Sequence, residues 1–310
     1  MQIGKLAGRS TSRIGMGCGR LSGGASLRQS RRIVEQARKL GITHFDTAPS
    51  YGFGTADDVL GDVLSGDNAV TIATKLGIAR PSNPWAKTIA RSILRPLLVA
   101  TPSMKGRLIR AASTPVRNQF DPVDMRRSFM ETLRRLRRNQ VDVVMLHQPD
   151  HADLDDLVVE AMTGFVREKL ARAMGSGTNG GAESVVPFGT VSQYRFGLEG
   201  KLNSDDTLMH GLIRNFPAPT VLSNLQELTM KELGWDPVDP SAWIGCLLTL
   251  GLLWDQKSII LVSSNSPTRL SQACNAVNWS VVATASPADI DKLLMIVSPH
   301  GPHVQNARAL

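Results

Sequence analysis

A (β/α)8 barrel is the fold class this 310-residue sequence predicts. Three observations lead to it. Eight short strand-like segments alternate with helical patterns from end to end. Several of those segments are apolar throughout, as strands covered on both faces must be. The chain length suits eight such units in one barrel. The strand candidates are residues 13–16, 43–45, 70–74, 141–146, 171–174, 190–193, 220–222 and 259–262. Helical periodicity covers 27–40, 56–64, 124–137, 154–168, 205–214, 242–254 and 268–277. A doubly wound sheet is the alternative. It would need a glycine-rich turn after the first strand, but GMGCG lacks the final glycine spacing, and the acidic residue that ends the second strand does not stand in the role that fold requires.

One domain spanning 1–310 is therefore expected, interrupted after the third strand by a long segment, 78–120. Strand–helix connections usually run only a few residues, so this one is an insertion. Pro81, Pro84, Pro96, Pro102 and Pro115 divide it, and Trp85, Ile89, Ile93, Leu94 and Leu97 form an amphipathic stripe within it. Residues 225–240 show weak periodicity and receive no assignment, and the stretch from Ser298 reads as a loose extension.

Composition narrows the class. Hydrophobic content of 42% and charged content of 20% are those of a globular chain. Cys18, Cys246 and Cys274 form no C-x-x-C pair, so neither a disulfide framework nor a zinc cluster is expected, which suits a reducing, cytoplasmic setting. The N-terminal MQIGKLAGRSTSR lacks the apolar core of a signal peptide. The apolar run 243–254 is too short to span a bilayer and reads as a buried helix. The net charge of +8 has a local origin: between Gly77 and Phe120 lie eight basic residues and no acidic one. The remainder balances, and nothing in it resembles a nucleic-acid module.

Side chains just past the C-terminal ends of barrel strands converge on one face. Asp46 ends the second candidate strand, Tyr51 follows in a Pro/Gly-bent loop, Lys75 ends the third, and His147 the fourth. Singly, each has a bland reading as a turn cap, a half-buried aromatic, a solvated strand end or a structural histidine. Together, at three successive strand ends, they suit one reaction. Reducing a carbonyl by hydride requires a proton for the developing alkoxide, and a phenol of pKa ~10 can give it at neutral pH. A neighbouring ammonium would lower that pKa, an aspartate would hold the ammonium, and a histidine would orient the carbonyl oxygen. No metal is required, and no metal-ligand spacing is present.

These motifs resemble the aldo-keto reductase family. FDTAPSYGFGTADDVLG is similar to its strand–Asp–loop–Tyr–helix signature, TKLG to its lysine strand and DVVMLHQPD to its histidine strand. The resemblance implies a catalytic tetrad of Asp46, Tyr51, Lys75 and His147, with Tyr51 as general acid. It also implies a nicotinamide nucleotide, NADP(H) in preference to NAD(H). Expected cofactor contacts are Gly17 and Cys18, Asp46, then Thr178 and Asn179 in AMGSGTNGG, and Gln193 in TVSQYRF. Ser263, Ser264, Asn265, Arg269 and Gln272 in LVSSNSPTRLSQA resemble the phosphate loop and following helix, with Arg269 facing a 2′-phosphate. Two departures stand out. No aromatic residue is found at the expected seventh-strand end, Ser223–Asn224, and Gln272-Ala273 replaces a common Glu-Asn pair.

The expected function is reduction of an aldehyde or ketone, or oxidation of the corresponding alcohol or aldose. The expected substrate is a small molecule, and an anionic one would suit the basic 78–120 insertion, which leaves from the active-site face as a candidate lid. Docking of that insertion on an anionic membrane or partner is the other reading. A monomer or small homo-oligomer is expected. Two further readings stay open: a lyase using Lys75 as a Schiff base, and a nucleotide-binding barrel that regulates a partner.

Overall fold

The computed structural model describes residues 1–21, 26–81, 120–198, 200, 202 and 204–298. The body of the insertion and the C-terminal extension lie outside the described residues. Eight parallel strands close a barrel: β3 (Ile14–Gly17), β4 (His44–Asp46), β5 (Thr71–Leu76), β6 (Val141–His147), β7 (Ala171–Gly177), β8 (Val191–Arg195), β9 (Asp206–His210) and β10 (Ile259–Val262). Strand β10 pairs with β3 to complete the ring.

Two short strands precede the barrel, and the sequence pattern gave no sign of them. They are β1 (Ile3–Leu6) and β2 (Arg9–Ser12), an antiparallel hairpin. Its turn residues Ala7 and Gly8 both have positive φ, 49° and 75°, the twist a two-residue hairpin favours. The hairpin closes the N-terminal end of the barrel. Leu6 packs into the apolar interior with Ala73, Val143, Met145, Val191, Leu208, Ile259 and Leu261. Arg9 forms an ion pair with Asp142 at 2.9 Å, and Thr11 bonds Thr71 at 2.8 Å.

Helices cover the outer face of the strands: α1 (Leu27–Lys39), α2 (Ala56–Leu64), α3 (Pro122–Leu136) and α4 (Asp156–Arg167) in the first half. Three of the four start at a side-chain cap. Ser26 caps α1, Asp121 caps α3 with Pro122 as first helical residue, and Asp155 caps α4. The second half contains α5 (Leu212–Asn215), α6 (Asn224–Glu232), α7 (Ala242–Trp254), α8 (Pro267–Asn275), α9 (Trp279–Thr284) and α10 (Pro287–Val297). Helix α7 is buried almost throughout, which is why its sequence is apolar on every side.

The seventh strand corrects the sequence reading. Residues 220–222 are not a strand, and Val221 there is 80% exposed. The strand is β9, within the stretch whose periodicity suggested a helix at 205–214. Leu208, Met209, Leu212 and Ile213 recur at four-residue spacing and imitate one helical face. Gly211, at φ 83°, separates the strand from the single turn of α5. Within 225–240, which had no assignment, α6 starts from a capping box between Ser223 and Gln226.

Candidate active site

Alternation along the strands builds the site. Side chains two apart share a face, so the interior line of each strand runs upward from apolar to polar. Val143 and Met145 lead to His147, Ala73 to Lys75, Val191 to Gln193, Leu208 to His210, and Leu261 to Ser263. These upper residues, with Asp46, Tyr51, Gly17, Gly19, Gly177, Thr178 and Asn179, line a cavity of about 110 Å³ at the C-terminal mouth.

Within it, Lys75 Nζ donates to Asp46 Oδ1 at 2.5 Å and to the Thr47 carbonyl at 3.3 Å. The same ammonium lies 4.8 Å from the centroid of the Tyr51 ring. Tyr51 meets His147 edge to face, with centroids 5.8 Å apart and planes at 84°. The four residues singled out from the sequence thus share one cleft. Burial pulls the Lys75 pKa down, but Asp46 and Tyr51 outweigh it and leave it raised. Tyr51 differs from expectation: burial raises its pKa above the ordinary phenol value, outweighing the lowering by Lys75. The ammonium's influence is present, but desolvation is the larger effect.

The other expected contacts divide into groups. Thr178 bonds through its amide to the Gln193 carbonyl at 2.9 Å, and its own carbonyl accepts from His210 Nε2 at 2.9 Å. Gln193 is 3% exposed, and its Oε1 has no hydrogen-bond partner among the described residues. A buried acceptor of this kind, facing a cavity, calls for a donor, and the amide group of a nicotinamide would supply one. Gly17 leaves room: a Cβ there would stand 2.5 Å from Ser263 Oγ. These residues fit a nicotinamide ring. Cys18 does not line the cavity, because its buried thiol turns to the Met16 carbonyl at 3.6 Å.

The phosphate-loop candidates surround the start of α8. Ser263 and Asn265 are exposed. Ser264 Oγ is occupied within the turn, donating to Ser266 O at 2.9 Å. Ser266, which sequence reading passed over, is the actual helix cap and accepts from the Arg269 amide. Arg269 is exposed on the first turn, and Gln272 is exposed one turn further along. Asn265 is tied to α1 by Gln29 Nε2 at 2.9 Å.

His210 lines the cavity, and sequence reading missed it. Its burial lowers its pKa, and because a carbonyl can only accept, its bond to Thr178 fixes a proton on Nε2. The apparent lack of a ring at the seventh-strand end followed from the misplaced strand. Alternation through Asp206, Leu208 and His210 was the available signal. Among the described residues, no group of His, Cys, Asp or Glu could hold a metal ion, and no helix is long and apolar enough to cross a membrane.

Comparison with known proteins agrees with this geometry. Residues 13–186 match the model of the aldo/keto reductase family. The chain is 26% identical over 153 residues to a D-threo-aldose 1-dehydrogenase of Pseudomonas sp, covering 47% of this chain and 43% of that protein. It is 39% identical over 69 residues to an uncharacterized oxidoreductase of Mycobacterium tuberculosis, covering 22% and 21%. The aligned stretches thus span less than half the length of these curated relatives. Similar folds include an aldo-keto reductase from Bacillus halodurans in its holo form, with TM-score 0.64, 16% identity and 96% of each chain covered. A glycerol dehydrogenase from Gluconobacter oxydans gives TM-score 0.64 at 19% identity, covering 96% of this chain and 97% of that one. The chain belongs to the aldo/keto reductase family.

Proposed function

We propose that this chain is an NADP(H)-dependent oxidoreductase that interconverts a small carbonyl compound and its alcohol, with Tyr51 as general acid and base. One observation supports this reading most: the Tyr51 ring stands over the Lys75 ammonium, itself paired to Asp46, beside His147 in a single cavity. When bound, the nicotinamide nucleotide supplies or accepts the hydride. Gln193, Thr178 and Asn179 would hold its ring, and Ser263, Asn265 and Arg269 its phosphates. In reduction, the Tyr51 O–H bond breaks and its proton passes to the carbonyl oxygen, which becomes the hydroxyl. Lys75 stabilises the phenolate left behind, Asp46 keeps Lys75 charged and in place, and His147 orients the carbonyl.

The relatives named for an aldose and for glycerol favour a hydroxylated substrate. A Schiff-base role for Lys75 is opposed by its environment, because an ammonium held charged by Asp46 is not a nucleophile. Borohydride with a carbonyl substrate should therefore trap nothing on Lys75. Fluorescence titration with NADPH and NADH, followed by a panel of aldoses, polyols and simple aldehydes, tests the proposal. Binding of NADPH with turnover of at least one member is expected; failure to bind either nucleotide would overturn it.

A further inference from the structure

The Tyr51 loop has an unusual backbone. Gly52, Phe53 and Gly54 all have positive φ, at 58°, 57° and 88°. For Phe53 this conformation is intrinsically unfavourable, since its Cβ crowds the carbonyl. The two glycines adopt it freely, but Phe53 between them holds it only if neighbouring structure fixes it.

Arg80 does so from outside the loop. Its Nη1 donates to the Gly54 carbonyl at 2.7 Å. Its Nη2 donates to Asp57 Oδ2 at 2.6 Å and to Thr132 Oγ1 at 3.2 Å. The Asp57 side chain is fully buried and that of Arg80 only 15% exposed. Asp57 in turn accepts from Thr47 Oγ1 at 2.7 Å, and the Thr47 carbonyl accepts from Lys75. One guanidinium therefore ties the C-terminal end of the loop that carries Tyr51 to Asp57, and Asp57 holds Thr47 at the other end; the chain of contacts ends on the ammonium beneath the phenol. Burial raises the Asp57 pKa, with Arg80 and its hydrogen bonds opposing the rise, so removal of Arg80 would leave Asp57 buried without its charged partner and Gly54 without its donor.

We propose that Arg80 is a positioning residue for Tyr51: by bridging Gly54 and Asp57 it fixes the left-handed turn and keeps the phenol over Lys75. Its effect on turnover rests on the proton-transfer role proposed for Tyr51; its effect on the position of Tyr51 does not. The arginine sits four residues past the strand end, at the mouth of the 78–120 insertion. Sequence reading counted it among cations available to an anionic substrate. The structure commits it to Asp57 instead.

The test uses Arg80→Ala, Arg80→Lys and, as a control, Arg9→Ala, which removes the Arg9–Asp142 ion pair at the opposite end of the barrel. Lysine keeps a charge for Asp57 but cannot bridge it and Gly54 with fixed geometry, so it carries the test should the alanine variant not fold. The chain has two tyrosines, Tyr51 and Tyr194, so NMR of protein labelled at tyrosine Cζ resolves them without any turnover. Both Arg80 variants should displace or broaden the Tyr51 resonance and spare that of Tyr194. On a substrate the wild type reduces, kcat should fall roughly 10–100-fold, the effect of slight misplacement of a reacting group, while KM moves far less. Added guanidinium ion should restore part of the kcat of Arg80→Ala. Arg9→Ala should lower Tm and leave both the Tyr51 resonance and kcat unchanged. An unmoved Tyr51 resonance in the Arg80 variants, or an equal kcat loss in Arg9→Ala, would overturn the proposal. Should the wild type reduce nothing, the NMR result still decides the role of Arg80, and only the functional reading fails.

Discussion

Lys75 Nζ and Asp46 Oδ1 stand 2.5 Å apart with both side chains 3% exposed. An ion pair so deeply buried adds little stability compared with an apolar replacement, yet breaking it is costly because the surviving charge has no water. Asp46→Asn should destabilise the protein by about 3–5 kcal/mol. The double variant Asp46→Leu/Lys75→Met should recover much of that loss without recovering activity. Denaturant unfolding of Asp46→Asn and of the double variant, set beside their turnover, measures both effects.

The Tyr51 pKa fixes a pH signature. Burial raises it above the ordinary phenol value despite Lys75, so the acid form needed for reduction persists beyond the usual phenol range. Reduction should stay flat from neutral pH to about 9 and fall only above about 10. Oxidation needs the phenolate and should rise with pH over the same interval. Parallel kcat profiles in the two directions check this; a reduction rate that falls near pH 7 would point to a different acid.

His44 gives a stability prediction independent of catalysis. It is fully buried on β4, bonds Thr71 Oγ1 at 3.0 Å, and burial lowers its pKa to about 4. Its folded pKa lies below the unfolded value of 6.5, so the unfolded chain binds the proton first as pH falls. Stability should be full above about pH 6.5 and decline towards pH 4, by up to about 3 kcal/mol from this group. Thermal melts from pH 7 to about 4.5 should show a shallower decline for His44→Gln than for wild type.

Much of this site was legible in the sequence because its residues fall at the ends of strands with strong apolar signals. TIATKLG and VDVVMLH are recognisable as strands on their own, and their alternation aims Lys75 and His147 inward. The hidden parts lack such a signal. The hairpin strands IGKL and RSTS are four residues each and gain their meaning only from Leu6 entering the barrel and Arg9 reaching Asp142. Strand β9, DTLMH, has two adjacent apolar residues, and its continuation past Gly211 resembles a helix. His210 was hidden with it. The role of Arg80 depends on partners 26 and 23 residues away, a contact no local pattern reveals.

On the function proposed here, Arg269 would carry the cofactor preference. It is exposed on the first turn of α8, where the helix N-terminus favours phosphate. Arg269→Gln should weaken NADPH binding by roughly tenfold or more, the worth of one hydrogen bond to a charged group, while NADH binding changes little. Paired fluorescence titrations measure the ratio.

The central claim is that the Tyr51 hydroxyl hands over the proton, and a single-turnover measurement on Tyr51→Phe tests it most directly. Protein preloaded with NADPH is mixed with a carbonyl substrate, and the decay of nicotinamide absorbance is followed. The account predicts unchanged NADPH affinity and a rate constant lower by about 10²–10⁴-fold, the usual contribution of a positioned acid. A phenylalanine variant that turns over at the wild-type rate would contradict it.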